Sequence, residues 1–329
     1  SKLVADFVAR NPQTLLIEPA LAVVEGRAEP DRLIGDVRTG MSEVFRNVAS
    51  LLNREQLRTE ALLFIRMALD LAPGDAAAKF SLAQLLEARE RGDLAIEIYE
   101  KVDPRSPYSW YARLGVADAL HARGESDAAI RLLRAMSSER PDRADAPRAL
   151  ADLLRVTERF DDAVTAYDLA VERMDGDPDW GLLYTRGIAL ERAKRWDRAE
   201  QDFLKALDVS PEQPLVLNYL GYSWVEQGVQ LERARKMIET AVGKRPRDGY
   251  ITDSLGWVLY RLGDFENAVV HLERAVALEP GDPVINDHLG DAYWVVGRKL
   301  EARFQWLRSL SLEPDRDVEI GLRQKLDGK

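Results

Sequence analysis

The stretch GYITDSLGWVLYRLGDFENAVVHLERAVALEPGD, from Gly249 to Asp282, predicts two short helices joined by a tight turn. Apolar and small residues recur at helical spacing in both halves: Leu255, Gly256 and Leu259, then Phe265, Ala268, Leu272 and Ala275. Gly263 marks the end of the first helix, because a glycine commonly follows a helix terminus. Pro280 ends the second helix, because proline cannot continue one. The stretch therefore predicts a helical hairpin.

The same pattern repeats along most of the chain with a period of 34 or 35 residues. Each unit ends near a proline, and the prolines are Pro73, Pro107, Pro141, Pro211, Pro246, Pro280 and Pro314. A period of this size predicts a stack of units, each of which can bury its apolar face only against its neighbours. Such a solenoid works through its surface, so binding is a more probable function class than catalysis.

Charge and composition exclude several other function classes. The chain has 329 residues and a net charge of −10, with 46 basic residues mixed among 56 acidic ones. This balance disfavours nucleic acid, which attracts a basic stripe, and it disfavours an anionic membrane surface. The absence of cysteine excludes disulfides and thiol catalysis. No apolar run reaches the length of a membrane span. We predict no nucleic-acid partner and no direct membrane insertion of this chain.

Small residues recur in phase in eight units, which start near Ser42, Ala76, Trp110, Ala144, Trp180, Pro214, Gly249 and Pro283. Position 8 of these units holds Ala49, Ala83, Ala117, Ala151, Gly187, Gly221, Gly256 and Gly290, and position 20 holds Ala61, Ala95, Ala129, Ala163, Ala199, Ala234, Ala268 and Ala302. Over residues 42–314 this pattern resembles the tetratricopeptide repeat (TPR). The resemblance implies an all-α fold: a right-handed α-solenoid, or superhelix, of about eight helix-turn-helix units with these small residues at the helix contacts.

The two ends of the chain are less regular. Residues 1–41 suggest a degenerate repeat or a joint, and their start is typical of the end of a repeat whose first part lies upstream. Within them, Thr14–Glu25 predicts a short helix and Asp31 is a candidate N-cap. Residues 315–329 predict a capping helix over Asp317–Leu326. A half-polar last helix is what a solenoid needs to shield its final apolar face.

A narrower resemblance concerns three strings in the last three units: LNYLGY at 217–222, DSLGWVLYRLG at 253–263 and HLGDAYW at 288–294. They resemble a proteobacterial subfamily of long, exported TPR proteins, some of which are lipoproteins. Its best-understood members are adaptors that bind a periplasmic carboxyl-terminal processing protease and help present cell-wall hydrolases to it. The resemblance implies a periplasmic or outer-membrane-associated location, and such a protease or its substrate as partner. A cytoplasmic location stays open.

The first helix of each unit has one face, at positions 2, 5, 9 and 12, that lines the concave groove in TPR proteins. We call it the groove face. In the last three units it carries Asn218, Tyr222, Tyr250, Asp253, Trp257, Tyr260, Asp287, Asp291 and Trp294. Tyr and Trp are common at protein interfaces, because they offer a large rigid surface and one hydrogen-bonding group. We predict that this stripe binds a partner. The alternative is that its rings pack against the neighbouring unit.

No catalytic, cofactor-binding or metal-binding residue is predicted. His121, His271 and His288 lie in different units, and we expect them to be solvent-facing polar residues. His288 and Asp291 share one helical face, but two ligands from a single turn are a weak indication of a metal site. The serines have no adjacent base in a known motif, and the glycines do not form a phosphate-binding loop.

The sequence therefore predicts a non-enzymatic scaffold or adaptor that binds a protein or peptide segment in its concave groove. Two other hypotheses stay open. The chain could be a structural element that self-associates into oligomers. It could instead be the regulatory domain of a larger enzyme whose catalytic part lies upstream.

Overall fold

The computed structural model of the chain describes residue 16, residues 18–27, residue 29, residues 35–174 and residues 177–328. These residues contain eighteen α-helices and no β-strand. The chain divides into two compact units: one extends to Pro178 and includes Ala189–Lys194, and the other contains Asp179–Ile188 and the chain from Arg195 onward. No helix in the described part of the chain is long and apolar enough to cross a membrane.

The helices up to residue 178 are α1 (Glu18–Val24), α2 (Val37–Arg54), α3 (Arg58–Leu71), α4 (Ala76–Glu87), α5 (Gly92–Glu100), α6 (Tyr108–Ala122), α7 (Ser126–Glu139), α8 (Asp145–Val156) and α9 (Phe160–Glu172). They are followed by α10 (Trp180–Arg192), α11 (Trp196–Val209), α12 (Pro214–Gln227), α13 (Leu231–Lys244), α14 (Gly249–Leu262), α15 (Phe265–Leu278), α16 (Pro283–Val295), α17 (Lys299–Ser311) and α18 (Arg316–Gly328). We call α2–α9 the first array, and α10–α18 the second array.

Within each array, consecutive helices form hairpins that stack on one another. The pairs α2–α3, α4–α5, α6–α7 and α8–α9 are in contact in the first array, as are α12–α13, α14–α15 and α16–α17 in the second. The second helix of each of these pairs also contacts the first helix of the next pair in its array, for example α13 with α14 and α15 with α16. This is the architecture of a TPR α-solenoid, in which a core forms between neighbouring hairpins.

All sixteen small residues at positions 8 and 20 are buried. In the second array, the glycines at position 8 leave room for side chains of the paired helix. A Cβ added to Gly256 would lie 2.5 Å from Leu272 Cγ, and one added to Gly290 would lie 2.4 Å from Trp306 Nε1. These two glycines are therefore required by a close approach between helices.

The turn inside each hairpin contains a residue in the left-handed region at position 15 of the unit, and the turn of the sixth unit contains a second, Gln230, with φ 53°. The residues at position 15 are Gln56, Glu90, Gly124, Glu158, Lys194, Gly228, Gly263 and Gly297, with φ between 59° and 85°. Glycine adopts this conformation without cost, whereas Glu, Gln and Lys do not. The sequence indicated such a turn at Gly263, but four units reach the same geometry with a long polar residue.

The ends of the described chain differ in detail from the sequence-based expectation. Helix α1 covers part of the predicted Thr14–Glu25 helix, and Asp31 lies outside the described residues. Helix α2 begins before the predicted unit start at Ser42, because Asp36 caps it by accepting a hydrogen bond from the Thr39 amide at 2.8 Å. At the other end, α18 spans the predicted capping segment and buries Leu322.

Candidate functional site

The nine residues of the predicted stripe lie on three first helices of the second array: Asn218 and Tyr222 on α12, Tyr250, Asp253, Trp257 and Tyr260 on α14, and Asp287, Asp291 and Trp294 on α16. Their degree of exposure differs widely. Asp253 is buried and Tyr250 is exposed, whereas the other seven are half-buried. The stripe has two parts. Asn218 and Tyr222 on α12 form what we call the open part, and most of the residues on α14 and α16 make side-chain contacts within the chain.

Trp257 stands at the centre of a three-ring stack. Its indole lies parallel to the Tyr260 ring, with centroids 4.9 Å apart, and to the His288 ring of the next unit, with centroids 4.0 Å apart. Its Nε1 donates a hydrogen bond to Glu226 Oε1 at 2.7 Å. The ring of Trp257 therefore packs between units, which is the alternative interpretation of the stripe, while its half-buried edge still borders solvent.

His288 and Asp253 form a buried pair between two units. The Asp253 side chain is 7% exposed and that of His288 is 8% exposed, and His288 Nδ1 lies 3.0 Å from a carboxylate oxygen of Asp253. Burial alone would lower the pKa of His288, but the attraction and hydrogen bond of Asp253 leave that pKa raised above its ordinary value. The expectation that His288 faces solvent was wrong, because its ring points towards the preceding unit.

A sequence signal for this pair exists, although it is visible only in retrospect. Asp253 stands at position 5 of one unit and His288 at position 6 of the next, so the two are 35 residues apart. Neighbouring units place such positions against each other, because their first helices lie side by side. Asp253 is thus a structural residue of the stripe, not an accessible hydrogen-bonding group.

Asp287 and Asp291 are bound by a lysine from the capping helix. Lys325 Nζ donates to Asp287 Oδ1 at 2.7 Å and to Asp291 Oδ2 at 2.8 Å. Burial opposes the charge of Lys325, yet the two carboxylates leave its pKa raised. Burial also raises the pKa of Asp287, although Lys325 opposes this. The acidic end of the stripe is therefore compensated within the chain, a contact that the sequence analysis missed.

Trp294, the last residue of the stripe, also has neighbours within its own unit. Its ring lies 5.3 Å from that of Trp306, and Lys299 Nζ lies 3.6 Å from its ring centroid. The ammonium group over the indole face is a cation–π contact. Trp306 in turn donates from Nε1 to Asp291 Oδ1 at 3.2 Å. These contacts join the stripe to the second helix of the last hairpin.

Asn218 and Tyr222 form the open part of the stripe. They are four residues apart on α12 and therefore share one face. The Oδ1 atom of Asn218 is buried and has no hydrogen-bond partner in the described residues. Burial and the carboxylates of Glu226 and Asp253 raise the pKa of Tyr222, so its hydroxyl stays protonated. Tyr250, on α14, is 56% exposed. This region offers polar groups and an aromatic surface to a partner.

In the first array, several carboxylates line the groove face, and the sequence analysis did not single them out as a group. Tyr99 donates to Glu87 Oε2 at 2.5 Å. Burial raises the pKa of Glu87, and partial desolvation by neighbouring atoms raises the pKa of Asp118 although that residue is exposed. A tyrosine at position 24 of a unit, as at Tyr99 and Tyr167, is the signal for such a contact, because it brings a hydroxyl across to the first helix. Among the described residues, no group of three or more His, Asp or Glu side chains could hold a metal ion.

Comparison with known proteins identifies the repeats. Three family models described as tetratricopeptide repeat match the chain, one at residues 59–109 and 184–228, one at residues 120–187 and one at residues 253–282. Together these matches cover more than half of the sequence. They fall in both arrays.

Solved structures share the fold at low sequence identity. A tetratricopeptide repeat protein from Parabacteroides merdae superposes with a TM-score of 0.61 at 15% identity, covering 77% of this chain and 99% of that one. A chain of the APC/C hetero-tetramer Cut9-Hcn1 superposes with a TM-score of 0.61 at 16% identity, covering 82% of this chain and 52% of that one. At such identities the likeness shows the fold alone.

Among curated proteins, TPR repeat-containing protein PA4667 of Pseudomonas aeruginosa is 33% identical over 94 residues. The matched region is 29% of this chain and 16% of that protein, so the chain spans only a small part of its relative's length. The repeat pattern, the stacked hairpins and the matching family models agree with one another. The chain belongs to the tetratricopeptide repeat family.

Proposed function

We propose that this chain is a non-enzymatic scaffold that binds a segment of another protein along the groove face of its second array. TPR proteins generally act as protein-interaction scaffolds, and this supports the class of function. The single observation that carries the proposal is the exposed ring of Tyr250, together with the half-buried polar side chains of Asn218 and Tyr222. Exposed aromatic rings with hydrogen-bonding groups are common where proteins bind one another.

Tyr222 and Tyr250 supply two parts of the proposed anchor. The Tyr222 hydroxyl is protonated and can donate to a peptide carbonyl. Tyr250 offers an exposed ring that a partner side chain could cover. Trp257 and Tyr260 are not anchors in this proposal, because Trp257 stacks on Tyr260 and on His288 and so links α14 to α16. Asp287 and Asp291 are not proposed as anchors, since both already bind Lys325.

The test measures binding of a candidate partner to the whole chain and to the Asn218→Ala/Tyr222→Ala variant. We expect the variant to bind at least tenfold more weakly while its circular dichroism is unchanged. The matched control is Lys236→Ala, on the exposed side of α13. Equal affinity of the variant and the control would overturn the groove assignment. Trp257→Ala with Tyr260→Ala is a poorer test, because loss of the stack would also loosen the contact between units.

The more specific proposal is that the partner is a carboxyl-terminal processing protease or its substrate, and that the chain functions in the periplasm or at the outer membrane. It is supported by the resemblance of the strings at 217–222, 253–263 and 288–294 to exported adaptor proteins. The protease from the same organism is therefore the first partner to titrate. Self-association, the competing hypothesis, is tested by sedimentation at several protein concentrations without any partner.

A further inference from the structure

The outer face of α17, in the last hairpin, is apolar and exposed. Leu300, Phe304 and Leu307 are 83%, 66% and 56% exposed. Their spacing of i, i+4 and i+7 places them on one side of the helix. The opposite side packs into the array through Ala302, Trp306 and Ser309, all of which are buried. The three apolar side chains therefore form a narrow stripe, which we call the α17 stripe.

The α17 stripe departs from the pattern of the preceding units. One repeat earlier, on α15, the same register holds Glu266, Val270 and Glu273, and two repeats earlier, on α13, it holds Glu232, Lys236 and Glu239. All six of these residues are exposed. In these two preceding units the register is charged except at Val270, whereas in the last unit all three positions are apolar. A contiguous exposed apolar surface of this kind marks an interaction site.

Most of the charged residues on α17 beside the stripe are basic. Lys299, Arg303 and Arg308 flank it, and none has a carboxylate partner in the described part of the chain. Lys299 Nζ donates to the Trp294 carbonyl, and Arg303 Nη1 donates to the Leu326 carbonyl at 3.0 Å. The acidic residue on the same helix, Glu301, is already bound by Arg298 at 2.9 Å. Arg298 also binds Glu273 of α15 at 2.8 Å. The side chains of α17 itself therefore give the rim a net positive charge.

We propose that the α17 stripe is a docking surface for an amphipathic α-helix of another protein, with apolar residues at i, i+4 and i+7 and Asp or Glu on its flanks. Helix-on-helix recognition uses anchors at this spacing. An α-helix is about 10 Å wide, and the α17 stripe occupies one side of a single helix, so one partner helix could cover it. Acidic flanks meet the basic rim, and such complementarity determines which partners are accepted.

Two other occupants fit the charges less well. In a two-fold contact between copies of this chain, each surface patch faces itself. The basic rim of one copy would then oppose the basic rim of the other, which is unfavourable. An anionic membrane would attract the rim, but the chain as a whole carries a net charge of −10 and would be repelled. A protein helix with acidic flanks needs only the local charge to be complementary.

The α17 stripe is independent of the proposed groove anchor. Asn218 and Tyr222 lie on the first helix of a hairpin two repeats earlier, whereas the stripe lies on the outward side of a second helix. A single chain could therefore hold one partner in its groove and another on α17. Binding at the stripe does not require the groove proposal to be correct.

The test uses fluorescence anisotropy with two labelled 18-residue synthetic peptides. Both have leucine at i, i+4 and i+7 spacing, and the flanking positions are glutamate in one peptide and lysine in the other. We expect the whole chain to bind the glutamate peptide, and the lysine peptide at least tenfold more weakly. Phe304→Glu with Leu307→Glu should weaken binding of the glutamate peptide at least tenfold. Exposed sites tolerate such changes, and the milder Phe304→Ser variant with circular dichroism checks that folding is retained.

Two matched controls locate the effect. Lys236→Glu changes the Phe304 register on α13 and should leave peptide affinity unchanged. Asn218→Ala/Tyr222→Ala, the groove variant, should also leave it unchanged, which separates this proposal from the groove function. The proposal is overturned if the glutamate peptide does not bind, or if the lysine peptide binds equally well. It is also overturned if the chain forms a dimer that Phe304→Glu dissociates, or binds phosphatidylserine vesicles through the stripe.

Discussion

The two arrays use different small residues where the paired helices of a hairpin come close together. Position 8 of the unit holds alanine in all four units of the first array and glycine in all four units of the second. The second array places a large side chain against that position, for example Phe203 against Gly187 and Trp306 against Gly290. The comparison teaches that alanine is accommodated at this position in the first array, whereas an added Cβ in the second array would meet a side chain of the paired helix.

The arrays also differ in how they use buried polar groups. The second array contains the buried pair of Asp253 and His288, and a second pair in which Arg186 Nε lies 2.7 Å from Asp202 Oδ2. In the first array, Arg143 is buried beside the half-buried Asp145, but on the groove face Asp118 is exposed. Buried charged pairs make the second array dependent on each partner, because an unpaired charge inside a protein is costly. The first array is expected to tolerate loss of a groove carboxylate.

The largest expected effect is that of Asp253→Ala in the second array. Removing one member of a buried pair leaves the other without compensation, which typically costs about 3–5 kcal/mol. We expect the free energy of unfolding, measured by urea denaturation, to fall by about 3 kcal/mol. Asp118→Ala, the comparison in the first array, should change it by less than about 0.5 kcal/mol. Equal effects of the two substitutions would contradict the difference between the arrays.

The pH dependence of stability distinguishes loss of the pair from simple loss of packing. The pKa of His288 is raised in the folded state. The stability due to the pair is therefore fully present below the unfolded-state pKa of about 6.5, and it is lost as pH rises through the folded-state pKa. The difference in unfolding free energy between wild type and Asp253→Ala should therefore become smaller as the pH rises through the folded-state pKa of His288. A constant difference across the whole pH range would show that His288 does not titrate in this way.

The repeat pattern predicts the fold well because small residues report directly on helix contacts. Position 8, position 20 and the terminal proline were enough to place the hairpins. The contacts of the stripe were harder, since they depend on which side chains of adjacent units meet. Lys325 lies 38 residues from Asp287, on a helix outside the repeat. The repeat pattern therefore could not predict this hydrogen bond. A periodic pattern determines backbones, but it does not determine the partners of polar side chains.

A smaller effect is expected from Gly256→Ala, which tests the glycine side of the comparison. The added Cβ would lie 2.5 Å from Leu272 Cγ and 3.2 Å from the Ala268 carbonyl oxygen. Overpacking of this kind costs about 1–3 kcal/mol, so the free energy of unfolding should fall by that amount.

The controls for Gly256→Ala are a second glycine and an alanine at the same repeat position. Gly321 on α18 has nothing within 4 Å of an added Cβ, and Gly321→Ala should stabilise the protein by about 0.5–1 kcal/mol. Ala151→Gly in the first array should cost about 1 kcal/mol, because glycine is a poorer helix former than alanine. If Gly256→Ala stabilised the protein as Gly321→Ala does, the glycine at position 8 would not be needed for close approach.

The smallest expected effect comes from exchanging turn residues between the arrays. Glu90 in the first array has φ 59°, and Gly263 in the second has φ 85°, at the same position of the unit. Because the left-handed region is unfavourable for a residue with a Cβ, Glu90→Gly should raise the free energy of unfolding by about 0.5 kcal/mol. Gly263→Glu should lower it by about 1 kcal/mol, although an added Cβ there has open space around it. Glu97→Gly, in the interior of α5, should lower the free energy of unfolding by about 1 kcal/mol. Urea denaturation of the three variants measures these changes, and a loss of stability in Glu90→Gly equal to that in Glu97→Gly would mean that backbone strain at this turn is negligible.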